Sequence, residues 1–78
     1  MNQTLLQSPG FAAVKQLIHA DEITDFDTSL FAHCPSIVTI DELIIQMAQL
    51  ASNHFGSDCS VLAAKGRYAF SSLTNNPV

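Results

Sequence analysis

The chain has 78 residues, of which 47% are apolar and 13% charged, with a net charge of −4. Only Lys15, Lys65 and Arg67 are basic, too few to neutralise several phosphates on one face, so nucleic acid is excluded as a partner. A core of this size is marginal, and so large an apolar share with so few charges predicts burial against a partner, most simply a homo-oligomer.

The front segment, "SPGFAAVKQLIHADE", reads two ways. As a helix it takes Ser8 as cap and Pro9 at its first position, with Phe11, Val14, Leu17 and Ile18 as its stripe. As a strand it places Val14, Ile18 and Ala20 on one face. Local rules favour the helix. The acidic run Asp21, Glu22, Asp25 and Asp27 reads as a solvated loop; its spacing is not that of a calcium loop, and no glycine supplies the turn. "FDTSLFAHCP" follows as a loop that has room for one helical turn at Thr28 to Phe31.

The clearest element is a helix from about Ile40 to Phe55. Thr39 and Glu42 have the T-x-x-E spacing of a capping box, and Val38 and Leu43 stand where a hydrophobic staple would close around it. Asp41 and Glu42 lie favourably in the positive field of the first turn. Ile40, Leu43, Ile44, Met47, Leu50, Ala51 and Phe55 follow helical spacing, Ile45 and Ala48 widen the stripe, and Gly56 is a natural left-handed stop. After a "GSD" turn, "CSVLAAKGRYAFSSL" reads as a strand, with Leu62, Ala64, Tyr68 and Phe70 on one face. Gly66 marks a bulge or a close backbone approach. "TNNPV" reads as a turn or a frayed tail.

Cys34 and Cys59 are too few for a disulfide framework, and His19, His33 and His54 have no compact ligand spacing, so neither a metal nor a cofactor is expected. The N-terminus lacks the basic start and long apolar core of a signal peptide. No apolar run approaches ~20 residues, so no membrane span is predicted. A reduced, cytoplasmic protein is the expectation.

The stretch "SLFAHCPSIVTIDELIIQMAQLA" resembles the hot-dog fold dehydratases that act on hydroxyacyl groups carried by acyl carrier protein. Phe31-Ala32-His33-Cys34-Pro35-Ser36 is similar to that family's F-x-G-H-F-P-G motif, and Met47-Ala48-Gln49 to the end of its central helix. "AAVKQLIHADEITDF" and "AAKGRYAFSSLTNNPV" resemble the strands on either side. The resemblance implies an α+β fold, partial and hot-dog-like, with a central helix packed on antiparallel strands over about 12–20 and 60–73. It tips the front segment from helix to strand. It makes residues 1–78 a single small domain or a fragment of a hot-dog domain, since a whole one is nearly twice as long.

In function, the resemblance implies an acyl-thioester lyase of fatty acid or polyketide biosynthesis, with an acyl carrier protein or acyl thioester as partner. His33 would be the base, with Cys34, Pro35, Ile45 and Gln49 lining the substrate. The family's acid aligns with Ile45, which holds no proton, so acid help would have to come from Asp41 or Glu42, both already suited to starting the helix. A base without its acid loses a factor of about 10²–10⁴, which points to a degenerate, non-catalytic relative. The alternative from a different class is a small non-catalytic interaction protein that homo-oligomerises through its apolar helix.

Overall fold

A computed structural model describes residues 7–34, 36 and 39–74. Every regular element among them is a helix: α1 (Pro9–Leu17), a short 3-10 turn (Ala20–Glu22), α2 (Phe26–His33), α3 (Ile40–Phe55) and α4 (Cys59–Thr74). The α+β expectation is therefore corrected. The strands expected over 12–20 and 60–73 are α1 and α4, and no sheet is present among the described residues.

The start signals of α1 outweigh its strand-like reading. The Ser8 hydroxyl accepts from the Phe11 N–H at 3.2 Å, Pro9 occupies the first turn, and Gly10, Phe11 and Val14 are buried. At α4 the error is one of period. Leu62, Ala63 and Gly66 are buried, with Cys59, Ala69 and Phe70 half-buried beside them, a three-and-four spacing that only a helix puts on one side. The two-residue period had grouped Leu62 with Tyr68, yet Leu62 is 7% and Tyr68 72% exposed. The Asp58 carboxylate accepts from the Ser60 N–H at 2.8 Å, and its carbonyl accepts from the Leu62 N–H. Asp58 is thus the cap that starts α4.

The central helix lies where its sequence puts it. Thr39 Oγ1 accepts from the Glu42 N–H at 3.1 Å, and Gly56 closes the helix at φ 75°, with its N–H bonded to the Ser52 carbonyl. The staple partner Val38, and Pro35 of the motif, lie outside the described residues. "FDTSLFAHCP" is more ordered than a loop with one turn, because Phe26 and Leu30 are both buried, one turn apart.

Helices α1, α3 and α4 meet at Gly66. A methyl group built there would lie 2.8 Å from Ile44 Cγ2 and 3.2 Å from Val14 Cγ1, so the close approach foreseen for this glycine is made, in a helix rather than a strand. A second notch lies at Gly10, whose missing side chain is replaced by the Phe70 ring. Gly10 against Phe70 and Val14 against Gly66 make α1 and α4 antiparallel neighbours. A three-residue connection, 56–58, folds α4 back along α3. The buried set among the described residues is apolar throughout; Ile18, Leu30, Met47 and Val14 are its largest fully enclosed side chains. At the rim, Arg67 donates to Asp41 at 2.9 Å and Lys15 to Asp27 at 3.0 Å, joining α4 to α3 and α1 to α2. Such exposed pairs contribute about 0–1 kcal/mol each.

Candidate functional site

Of the residues that the hot-dog resemblance singled out, His33 and Cys34 stand at the end of α2 and Asp41, Glu42, Ile45 and Gln49 on α3, with Pro35 outside the described residues. His33 ends α2 exposed, and its side chain makes no hydrogen bond or ion pair among the described residues. Cys34, the residue after it, is half-buried and packs on the core. Asp41 is held by Arg67, and Glu42 is exposed at the N-terminus of α3. Ile45 is half-buried and Gln49 exposed along that helix. The opposite side of α3 is core: Met47, Ala48 and Ala51 are 0% exposed. Among the described residues no three His, Cys, Asp or Glu side chains are grouped to hold a metal.

The acidic run Asp21 to Asp27 is exposed, as a solvated loop would be. Its backbone is less ordinary. His19 and Asp25 adopt left-handed φ angles of 63° and 57°, a region that histidine and aspartate tolerate better than most residues. They reverse the chain on either side of the 3-10 turn. His19 Nδ1 lies 3.0 Å from Glu22 Oε2 across it.

What the fold does assemble is an apolar surface over α1 and α4. One depression of about 400 Å³ is lined by Ala13, Gln16, Leu17, Tyr68, Ala69, Ser72 and Leu73. A second, of about 380 Å³, includes Leu17, His19, Glu22, Phe55, Leu62 and Lys65. They share Leu17 and so adjoin. Of the five large apolar residues left exposed among the described residues, Leu17, Phe55, Tyr68 and Leu73 line these two depressions. The fifth, Val61, stands one turn before Lys65 on α4.

Each of the four is exposed for a local reason. Leu17 lies on the flank of α1, off the line of Phe11, Val14 and Ile18 that enters the core. Leu73 lies near the end of α4, beside Tyr68 and Ser72 at the edge of the first depression. Phe55 is the last residue of α3, beside the turn. Tyr68 points away from the notch at Gly66, its ring 72% exposed. Sequence periodicity could not find this surface. It assigned Leu17 and Phe55 to core stripes, and it paired Tyr68 with the wrong neighbours.

Comparison with known protein families, with curated proteins and with solved structures finds no match to any of them. The chemistry must therefore be read from the surface itself. It offers aliphatic and aromatic contact, one phenol, one imidazole, one ammonium, one carboxylate, the Gln16 amide and the Ser72 hydroxyl.

No helix among the described residues is long and apolar enough to cross a membrane.

Proposed function

We propose that this chain is a small helical interaction module that docks a partner through the joined depressions over α1 and α4. The observation that carries the reading is the gathering of Leu17, Phe55, Tyr68 and Leu73 there, in a chain whose other large apolar side chains among the described residues are, apart from Val61, at least partly buried. Contiguous exposed apolar surface with a polar rim is the mark of an interaction site, and an aromatic residue with a polar tip, such as Tyr68, is the kind that anchors one. The acyl-thioester reading has no comparable support. It requires a sheet beside the central helix, and α1 and α4 stand in the place of its strands.

A photo-reactive benzoylphenylalanine at position 68, in cells that naturally make the chain, tests the proposal. The expected result is one defined adduct that is lost on Leu73→Asp and kept on Gln49→Asp. No adduct above that given by the same probe at position 49 would overturn it. So would rapid dehydration of a 3-hydroxyacyl carrier-protein substrate that disappears in His33→Ala.

A further inference from the structure

We infer that the partner is a second copy of this chain, paired face to face across the α1/α4 strip. This rests on the docking reading above and adds the identity of the occupant. The argument is one of charge. The strip carries one cation, Lys65, and one carboxylate, Glu22, both lining the same depression. Lys65 has no carboxylate within 4.0 Å among the described residues, and the Glu22 side chain is 63% exposed despite its contact with His19. With histidine neutral, the strip is locally neutral, and the whole net charge of −4 lies off it.

The other two cations are engaged elsewhere, Lys15 by Asp27 and Arg67 by Asp41. Two acidic chains therefore meet across this strip without setting like charges against each other. In a two-fold pairing residue i meets j and j meets i. A surface bearing one charge of each sign is self-complementary, with Lys65 facing the partner's Glu22 and Glu22 facing the partner's Lys65. A basic partner would find only one carboxylate on the strip. An acidic partner would find one ammonium, offset by that carboxylate.

From Leu62 to Leu73 the strip runs roughly 17 Å along α4, and two packed helices are roughly 20 Å wide. That footprint is well under the ~800 Å² per partner of a standard interface, so the pairing belongs to the weak, transient class.

Sedimentation equilibrium of the full chain over about 5–500 µM, the range in which weak self-association is populated, tests the inference. The wild type should show a monomer–dimer equilibrium. Tyr68→Asp should weaken it at least tenfold, as loss of a central aromatic anchor does. Lys65→Glu and Glu22→Lys each break two symmetry-related pairs and should each weaken it about tenfold at low salt, about threefold for each exposed ion pair, and the double swap should restore it. Gln49→Asp should change nothing, and circular dichroism should show every variant folded. A wild type that stays monomeric at the highest concentration overturns self-pairing; if the adduct at position 68 then maps to a different protein, the docking reading survives alone. Dimerisation indifferent to Tyr68→Asp, or single charge reversals that the double swap does not rescue, also overturn this pairing.

Discussion

Replacing Gly66 with alanine sets two effects of opposite sign against each other at one position. Gly66 lies in the middle of α4, where alanine is favoured over glycine by about 1 kcal/mol in helix propensity. The added methyl would lie 2.8 Å from Ile44 Cγ2 and 3.2 Å from Val14 Cγ1. Neither neighbour is the free end of a flexible chain. Both methyls branch from Cβ, and a helix holds such side chains in essentially one rotamer. Relief thus requires a helix to shift, and overpacking of this kind costs about 1–3 kcal/mol. The net expectation is a loss of about 1 kcal/mol, or a fall of about 1 M in urea midpoint for a chain this small.

Urea titration followed by circular dichroism reads this directly, provided the slope is unchanged. Ala64→Gly, on the exposed side of α4, supplies the propensity effect alone and should lose about 1 kcal/mol. Ile44→Leu moves the branch away from Cβ, so in that background Gly66→Ala should become neutral or stabilising. If Gly66→Ala in the natural chain raises the midpoint by the full propensity increment, the three helices do not converge there.

Other outcomes are as definite. Thr39→Ala and Asp58→Ala should each cost about 1 kcal/mol in urea titration through a lost N-cap bond, and Glu42→Gln should cost less than either. Met47→Ala, at a side chain 0% exposed, should cost about 2–5 kcal/mol, while Gln49→Ala two residues on should change thermal stability little. Gly56→Ala should cost about 1 kcal/mol, because φ is 75° and an L side chain is strained there; a D-alanine at the same position, introduced by chemical synthesis, should not be destabilising.

The central helix was legible because its limits are written in local chemistry. Thr39 caps it by accepting from the Glu42 N–H, and Gly56 offers the left-handed stop. The first helix was less plain: Ser8 and Pro9 favoured it, but Val14, Ile18 and Ala20 also fitted a strand, and the resemblance tipped the reading that way. The last helix was harder. Alanine, glycine and serine interrupt its stripe, so Leu62, Tyr68 and Phe70 satisfied a two-residue period by coincidence. Asp58, with N–H donors two residues ahead, was the signal that would have decided it. Among the candidate residues, His33 was chosen by likeness to a motif, and Asp41 and Glu42 only as the nearest carboxylates once Ile45 stood in the place of the acid; Asp41 is instead held by Arg67. The apolar excess did carry information, namely that surface would be left uncovered. It could not say where, because the exposure of Leu17 and Leu73 depends on how α1 and α4 pack against each other.

The Phe70 ring seated at Gly10 brings the beginning of α1 beside the end of α4. This contact must close nearly the whole described chain, whereas α3 and α4 are joined through three residues. Loop-closure entropy then orders assembly, with the α3–α4 hairpin forming first and α1 docking last. A circular permutant removes that asymmetry. Linking the end of α4 to Ser8 and opening the chain at exposed Ser36 would make both major helix pairs sequence neighbours. Only the slighter packing of α2 on α3 would become long-range. The permutant should keep the same helices and refold faster in stopped-flow measurements.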